Sequence, residues 1–209
     1  MPKPSATARA RKIKLIIFDV DGVLTDGKIW IFPAPNPQSG TQQNVLQKSE
    51  QHGGQSGFGL PSATLIEAKG FHAHDGTAFS FARLVGIKTG IITKRISETV
   101  ALRARDLKID HVYQGIQDKA TALAEILKKD GITAAEAAFV GDDVIDLPAM
   151  RKCGLAIAVK NARPEVTKEA HWSTSHAGGD GAARDAVEYI LKAQGKWKHA
   201  LESYISERS

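Results

Sequence analysis

Two carboxylates stand two residues apart directly after an apolar stretch near the start of the chain. The stretch is Ile16-Ile17-Phe18, and the acids that follow it are Asp19 and Asp21. A carboxylate in such a place can attack phosphorus and bind a metal, and a second one can exchange a proton with an ester oxygen. The same letters also occur in ordinary turns and calcium-binding loops, so the pattern needs support from the rest of the chain.

A second group of acids follows another apolar stretch, residues 137–140. It consists of Asp142, Asp143 and Asp146. These carboxylates repel one another unless a cation lies among them, and oxygen ligands without a histidine or cysteine cluster favour Mg²⁺. An acidic surface turn is the alternative. Two apolar stretches that both end in carboxylates favour a shared site instead.

Two further residues are candidates for binding the oxygens of a phosphoryl group. Thr93 ends the apolar run Ile91-Ile92, where its hydroxyl can donate a hydrogen bond. Lys119 begins a predicted helix, a place that the helix dipole makes unfavourable for a cation, so a nearby anion would explain it. Taken alone, Thr93 also fits a helix cap, and Lys119 also fits a solvated surface lysine.

These residues all lie at the ends of predicted secondary-structure elements. We predict strands over residues 13–19, 88–92, 111–113, 137–141 and 155–159, and helices near 77–85, 97–107, 118–129 and 144–152, with Ser97 as an N-cap and Gly131 as a helix end. This alternation predicts an α/β fold, a Rossmann-like parallel sheet with helices on both faces. Ligands of such sheets bind beyond the carboxyl ends of the strands, where the acids are expected to converge.

One long segment interrupts the alternation. Two strand-like runs, 28–32 and 64–68, predict a projecting β-hairpin over residues 28–70. Residues 33–64 are rich in Pro, Gly, Gln, Asn and Ser, which bury too little apolar surface to order themselves. We predict a disordered insertion there, with a lid over the site as the alternative. We expect a single domain over residues 12–205 and a flexible tail over 1–11.

The composition limits the class of protein. The 209 residues, 42% hydrophobic and 24% charged, fit a globular domain. We find no apolar stretch near the roughly 20 residues that span a bilayer and no signal peptide, and the single Cys153 cannot form an internal disulfide, so we predict a cytoplasmic protein without a membrane partner. The net charge of +5 comes from scattered basic residues, which predicts an anionic small substrate rather than a nucleic acid.

The motifs together resemble a known superfamily. Asp19 and Asp21, then Thr93, then Lys119, then the acids from Asp142 occur in the order and approximate spacing of the four motifs of the haloacid dehalogenase superfamily. Within it, the chain is similar to the capless family of 3-deoxy-D-manno-octulosonate 8-phosphate phosphatases. The similar stretches are residues 19–27, 71–76, 91–97, 113–119, 141–150, 178–185 and 193–197.

The chain departs from the family pattern in three places. Lys94 stands where the family usually has glycine, and Thr77-Ala78-Phe79 replaces a glycine and a small aliphatic residue after Asp75-Gly76. The third departure is the long insertion in the hairpin. The first two lie where the sugar of the substrate is expected, so they bear on the identity of the substrate rather than on the chemistry at phosphorus.

The resemblance implies a phosphoric monoester hydrolase whose catalytic residues are Asp19, Asp21, Thr93 and Lys119. Asp19 would form an aspartyl-phosphate, and Asp21 would act as acid and then as base. The resemblance implies Mg²⁺ held by Asp19, the backbone carbonyl of Asp21 and Asp142, with Asp143 near the metal and Asp146 orienting Lys119. The expected substrate-binding residues are Arg95, Thr93, Lys119, Asp75 and Gly76, with Arg95 reading a substrate carboxylate.

The implied substrate is 3-deoxy-D-manno-octulosonate 8-phosphate, an intermediate of lipopolysaccharide precursor synthesis. The resemblance also implies a fold without a separate cap domain and a homotetramer in which neighbouring hairpins and C-terminal tails close each site. Two alternatives remain at this point. One is a phosphatase for another sugar acid phosphate, such as a nonulosonate 9-phosphate. The other is a non-catalytic oligomerisation module related to cytidylyltransferase C-terminal domains.

Overall fold

Two sheets organise the computed structural model, which describes residues 4–33 and 65–206. The strands are β1 (Leu15–Phe18), β2 (Trp30–Pro33), β3 (Leu65–Ala68), β4 (Lys88–Ile92), β5 (His111–Tyr113), β6 (Ala137–Gly141), β7 (Leu155–Ala158) and β8 (Trp172–Ser173). Six of them form a parallel sheet in the order β5-β4-β1-β6-β7-β8, and β2 and β3 form a separate antiparallel hairpin.

Helices precede, connect and follow the strands of the parallel sheet. They are α1 (Ala6–Ala10), α2 (Ala73–Leu84), α3 (Glu98–Asp106), α4 (Lys119–Asp130), α5 (Leu147–Met150), α6 (Pro164–Glu169), α7 (Ala182–Ala193) and α8 (Trp197–Ser206), with 3₁₀ turns at Ala134–Glu136 and Val144–Asp146. Within the described residues we find no helix long and apolar enough to cross a membrane.

Both faces of the sheet are covered, as β1 illustrates. All four residues of β1 are buried, and their side chains alternate between the two faces because a strand has a period of two. Ile16 and Phe18 pack in a cluster with α2 and α7, whereas Leu15 and Ile17 pack in a second cluster with α4 and α5. Each such buried side chain contributes about 1.5–3 kcal/mol to folding, so the two clusters fix β1 in the middle of the domain.

The strand order reverses at β1. From β1 the chain passes through the hairpin to β4 and β5 on one side, and it then returns to β6 on the other side. Beyond the carboxyl end of β1 the neighbouring connections diverge, which leaves the crevice in which parallel sheets of this type bind ligands.

The predicted α/β fold with helices on both faces is confirmed, and several element bounds agree with the sequence. Strands 88–92, 111–113 and 137–141 have the predicted limits. Ser97 caps α3 with its side chain, and Gly131 ends α4 in the left-handed conformation with φ 64°. The predicted helix over 144–152 is wrong in part, because the segment is a 3₁₀ turn followed by the short α5, which has a proline in its first turn.

The prediction of a flexible tail over residues 1–11 is also wrong for the part that the structure describes. Residues 6–10 form α1, and Ala10 is completely buried. Arg9 Nη1 donates to the carbonyl of Gly154 at 2.6 Å, and Gln194 Nε2 donates to the carbonyl of Ala10 at 3.1 Å. Partners about 145 and 184 residues away hold this segment, so its own composition could not reveal them. The predicted disordered insertion lies outside the described residues from position 34 onward.

Candidate active site

Asp19 lies immediately after β1, at the crevice. Its backbone N–H donates to the carbonyl of Val140 at 3.0 Å, which fixes it beside β6. The residue is only 4% exposed, and its Oδ1 lies 2.7 Å from Lys119 Nζ. Burial raises the pKa of Asp19 to about 6, since it outweighs the lowering effect of Lys119 and is assisted by Asp146. The ionised form of this candidate nucleophile therefore depends on neighbouring positive charge.

The loop after Asp19 turns tightly and needs a glycine. The N–H groups of Val23, Leu24 and Thr25 all point to the carbonyl oxygen of Val20, at 3.0 to 3.3 Å. Gly22 has φ 98°, a conformation that glycine adopts without strain. A Cβ at Gly22 would overlap the carboxylate of Asp142. The glycine therefore allows the first acidic loop to lie directly against the second.

The three acids after β6 have different environments. Asp146 is completely buried; its Oδ1 lies 2.6 Å from Lys119 Nζ, and its Oδ2 accepts the N–H of Asp142 at 3.0 Å. Asp143 caps the 3₁₀ turn, where its carboxylate accepts a backbone N–H at 2.7 Å. Oδ1 of Asp142 is buried and has no hydrogen-bond partner among the described residues. Burial raises the pKa of Asp142 to about 7, and the charges of Asp19 and Asp146 add to the rise.

Lys119, the first residue of α4, lies between two of these carboxylates. Its Nζ is 2.7 Å from Asp19 Oδ1 and 2.6 Å from Asp146 Oδ1, and the residue is 3% exposed. Burial lowers the pKa of Lys119, but the charges of Asp19 and Asp146 outweigh burial and raise it above its ordinary value. The ammonium group therefore stays charged, and the two carboxylates explain why a cation begins this helix. The expected contact between Asp146 and Lys119 is confirmed.

The carboxylate of Asp21 is held by cations from two other segments. Lys69 Nζ forms an ion pair with Oδ1, and Arg95 Nε lies 3.6 Å from Oδ2. The side chain of Lys69 is completely buried, while that of Asp21 is 19% exposed. Glu67 Oε1 lies 3.9 Å from Lys69 Nζ and accepts a hydrogen bond from Ser97 Oγ at 2.7 Å. The second strand of the hairpin therefore orients Asp21.

Lys69 is the residue that the sequence did not predict. It follows β3 directly, and neither a motif nor a spacing distinguishes it from a surface lysine. A buried ammonium group is very unfavourable without a charged partner, so its burial beside Asp21 is informative. That signal exists only in the fold, because Asp21 and Lys69 are 48 residues apart.

The segment after β4 brings Thr93 and Arg95 to the same edge of the sheet. Thr93 is 2% exposed; its N–H donates to the carbonyl of Tyr113 at 2.9 Å, and its carbonyl accepts the N–H of Ile116 at 3.0 Å. Since β4 pairs with β1, Thr93 follows the strand next to the one that Asp19 follows. The assignment of Thr93 and Arg95 as substrate-binding residues stays a prediction.

Asp75 and Gly76 lie in the first turn of α2 and have structural contacts. The carboxylate of Asp75 accepts the N–H of Arg184 at 2.9 Å and that of Gly181 at 3.3 Å, and burial raises its pKa against these hydrogen bonds. A Cβ at Gly76 would press on the guanidinium group of Arg103. These contacts attach α2 to its neighbours, and the predicted substrate contact of Asp75 and Gly76 gains no support from them.

Two residues of the departure from the family pattern after Gly76 pack in the core. Ala78 and Phe79 are buried in the core, and the Phe79 ring lies 5.2 Å from the ring of Phe18. Ala78 and Phe79 therefore contribute to the core between β1 and α2. Of the other departures, Lys94 directly follows Thr93 after β4 and is exposed.

The acidic residues form a group suited to a divalent cation. Asp19, Asp142 and Asp146 each offer a carboxylate oxygen, and these oxygens lie within 4.8 Å of one another. Both oxygens of Asp146 already accept hydrogen bonds, whereas the buried Oδ1 of Asp142 is still available as a ligand. Carboxylate oxygens are the ligands that Mg²⁺ prefers. The residues present therefore fit the predicted metal.

Comparisons with known sequences agree with this chemistry. The model of the haloacid dehalogenase-like hydrolase family matches residues 91–184. The chain is 36% identical over 193 residues to the 3-deoxy-D-manno-octulosonate 8-phosphate phosphatase KdsC of Escherichia coli (strain K12), an alignment that covers 92% of the chain and 87% of that protein. It is 34% identical over 192 residues to KdsC of Yersinia pestis, with 92% and 87% covered.

Solved structures similar to this chain are also 3-deoxy-D-manno-octulosonate 8-phosphate phosphatases. The 3-deoxy-D-manno-octulosonate 8-phosphate phosphatase from Moraxella catarrhalis, in complex with a magnesium ion, a phosphate ion and a KDO molecule, aligns with a TM-score of 0.77 and 33% identity over 95% of this chain and 97% of that one. The phosphatase from Yersinia pestis gives a TM-score of 0.75 and 33% identity over 92% and 88%. Both similarities extend along nearly the whole chain and not along one motif alone.

Proposed function

Because the chain belongs to the haloacid dehalogenase-like hydrolases, in the family of 3-deoxy-D-manno-octulosonate 8-phosphate phosphatases, we propose that it hydrolyses this sugar acid phosphate to the free sugar acid and phosphate. It is a phosphoric monoester hydrolase that uses Mg²⁺. The observation that carries the phosphoryl chemistry is the buried contact of Asp19 with Lys119, near the oxygen of Asp142 that has no hydrogen-bond partner among the described residues. The named substrate is supported by the 36% identity to KdsC over 92% of the chain.

Asp19 and Asp21 both act in each of the two chemical steps, Asp19 as the group that carries the phosphoryl group and Asp21 as the group that transfers the proton. A carboxylate oxygen of Asp19 attacks phosphorus, the bond from phosphorus to the sugar oxygen breaks, and Asp21 gives its proton to that oxygen. Asp21 then takes a proton from a water molecule, which attacks the aspartyl-phosphate. Phosphate leaves, the carboxylate of Asp19 is restored, and Asp21 is protonated again for the next turnover.

The remaining residues of the site bind the phosphoryl oxygens, orient Lys119 or hold the metal. Lys119 and Thr93 bind the phosphoryl oxygens, and Asp146 holds Lys119 in place through its 2.6 Å contact. The metal would be held by Asp19, the backbone carbonyl of Asp21 and Asp142. When bound, it offsets the negative charge of the nucleophile and of the phosphoryl group.

Lys69 and Arg95 act around Asp21 in this proposal. Lys69 is a positioning residue, because its buried ammonium group fixes one oxygen of Asp21. Arg95 is half-buried at the mouth of the crevice and binds substrate there, 3.6 Å from the other oxygen.

We also propose the homotetramer that the family resemblance implies. The support is the hairpin, which exposes large apolar side chains to solvent: Trp30 is 56%, Ile31 49%, Phe32 49% and Ile66 44% exposed. Such a surface is unfavourable on a monomer and is typical of an interface.

The test of the substrate is phosphate release from a panel of sugar phosphates in the presence of Mg²⁺. The panel contains 3-deoxy-D-manno-octulosonate 8-phosphate, a nonulosonate 9-phosphate and glucose 6-phosphate. We expect the highest kcat/KM for the first compound, loss of activity after chelation by EDTA, and recovery when Mg²⁺ is added. Higher efficiency with the nonulosonate would move the assignment to that substrate, and inactivity with all three would overturn it.

The test of the mechanism is the substitution Asp19→Asn. The amide has nearly the same shape but is a poor nucleophile and a poor metal ligand, so turnover should fall at least about a thousandfold with the fold intact. The matched control is Asp26→Asn, which changes an exposed acid of the same loop and should keep activity. Appreciable turnover by a clean preparation of Asp19→Asn would rule out this nucleophile.

A further inference from the structure

We propose that Lys94 selects substrates that carry a carboxylate far from their phosphate. The inference rests on the proposed phosphatase function and assigns a specificity residue to the same site. It begins with the position of Lys94, between the predicted phosphate-binding Thr93 and the Asp21 neighbour Arg95, at the edge of the crevice.

The backbone around Lys94 is held on both sides. The carbonyl of Thr93 accepts the N–H of Ile116 at 3.0 Å, and the carbonyl of Arg95 accepts the N–H of Gly115 at 3.3 Å. These hydrogen bonds attach the segment after β4 to the segment after β5. The Cα of Lys94 is therefore fixed beside the site, while its side chain is exposed to solvent.

Lys94 differs from the other cations near the site in having no charged partner among the described residues. Lys119 is buried between Asp19 and Asp146, and Lys69 is buried against Asp21. Arg95 is only partly exposed and lies 3.6 Å from Asp21. Among residues 4–33 and 65–206, by contrast, no hydrogen bond or ion pair of the Lys94 side chain is found.

The chemistry of a sugar acid phosphate supplies a partner for this charge. Its phosphate and its carboxylate lie at opposite ends of the carbon chain, so the carboxylate reaches towards the mouth when the phosphate is bound at Asp19. A lysine ammonium group on a flexible four-carbon stem can follow a carboxylate at varying distance. A neutral sugar phosphate has no group for this contact and gains nothing from Lys94.

The experiment compares Lys94→Gln with wild type on one acidic and one neutral substrate. We measure kcat/KM for 3-deoxy-D-manno-octulosonate 8-phosphate and for glucose 6-phosphate and form their ratio. An exposed ion pair predicts that Lys94→Gln lowers the ratio roughly fivefold, chiefly through the KM of the acidic substrate. The matched control is Lys12→Gln, an exposed lysine before β1 at the opposite edge of the sheet, which should keep the ratio.

Ionic strength gives a second readout. Added salt should lower the ratio in wild type, because it screens an exposed ion pair, and should have less effect on Lys94→Gln. An unchanged ratio in Lys94→Gln, or an equal loss in Lys12→Gln, would overturn the role of Lys94 and leave the phosphatase function intact. Failure of wild type to hydrolyse the sugar acid phosphate would overturn both.

Discussion

Asp19 and Asp21 are two residues apart and have opposite surroundings. Asp19 is buried next to Lys119, and burial raises its pKa to about 6 against the effect of that cation. Asp21 is partly exposed and contacts Lys69 and Arg95. The two carboxylates of one short motif therefore differ in their surroundings. Their proposed roles, Asp19 as nucleophile and Asp21 as proton-transferring group, follow from the order of the family motifs.

At the residue scale we predict a selective loss of activity on removal of Lys69. Lys69→Met removes the cation that fixes Asp21, so kcat for a sugar phosphate should fall about tenfold or more. The loss should be smaller with p-nitrophenyl phosphate, whose leaving group needs no proton. Steady-state kinetics on both substrates, with thermal unfolding to establish that the variant is folded, measures this difference.

The control for this prediction is Lys28→Met, which changes a lysine of the hairpin region that is 70% exposed. It should leave both rates as in wild type. Equal losses in folded Lys69→Met would place the effect on hydrolysis of the aspartyl-phosphate, the step that both substrates share. Unchanged kcat on both substrates would show that Lys69 does not act through Asp21.

At the element scale, α2 and α7 pack in one core cluster, and the carboxylate of Asp75 adds a polar connection between them. Asp75, in the first turn of α2, accepts the backbone N–H groups of Gly181 and Arg184, which lie at the start of α7. A side chain that accepts such N–H groups stabilises a helix start, here from another helix. Asp75 therefore holds the segment before α7 against the first acidic loop, where Gly178 lies against Gly22.

We predict that Asp75→Ala lowers stability more than it affects substrate binding. The variant leaves two backbone N–H groups without their acceptor, which should reduce the free energy of unfolding by about 1–3 kcal/mol. KM of the folded variant should stay as in wild type. Urea unfolding and steady-state kinetics measure the two effects, with the exposed Asp106→Ala as control. A large rise in KM without destabilisation would favour the substrate contact predicted from the sequence.

A second element-scale feature lies at the opposite edge of the sheet. Asp130, the last residue of α4, binds Lys88 at the start of β4 at 2.8 Å and His111 at the start of β5 at 2.7 Å. Burial opposes ionisation of Asp130, but the hydrogen bonds from Lys88 and His111 outweigh it and hold its pKa below the ordinary value. One carboxylate therefore joins three elements.

This cluster predicts a pH dependence of stability. Because the pKa of Asp130 is lower in the folded chain, its contribution is complete above the unfolded value of about 3.9 and is lost as the pH falls through the folded value. The difference in unfolding free energy between wild type and Asp130→Asn should thus shrink from about pH 5 to about pH 3. Urea unfolding across this range measures it, and a constant difference would contradict the assignment.

At the scale of the whole molecule, the hairpin combines a buried contact at the candidate site with an exposed apolar surface. Its second strand leads into Lys69, which is buried against Asp21, while Trp30, Phe32 and Ile66 face solvent. The element that contacts Asp21, the proposed proton-transferring residue, also carries the proposed interface. Assembly and catalysis are therefore expected to depend on the same strands.

We predict that Trp30→Ser with Phe32→Ser weakens assembly. Because only about half of each side chain is exposed, each substitution removes roughly 1–1.5 kcal/mol of burial at an interface, so the dissociation constant should rise roughly tenfold or more. Sedimentation velocity should show smaller species at concentrations where wild type is assembled. The control is Leu102→Ser, an apolar residue of α3 that is 45% exposed. Unchanged sedimentation of the double variant would place the interface elsewhere.

The sequence by itself determined the sheet and the chemistry that its edge supports. The predicted strands 13–19, 137–141 and 155–159 are short, mostly apolar runs, which are typical of buried strands in a parallel sheet. Asp19, Thr93, Lys119 and Asp142 were therefore predicted from local patterns, and so was the α/β fold. These signals are local because the apolar residues of a strand and the polar residues that follow it are contiguous in the sequence.

Only the tertiary structure decided which polar side chains are buried and with what partners. Lys69 is buried against Asp21, and the oxygens of Asp75 accept N–H groups at the start of α7. Arg9 and Gln194 likewise order a segment that reads as a tail. In each case the partners are far apart in sequence, and the free energy of a buried charge or hydrogen bond depends on the partner that folding supplies.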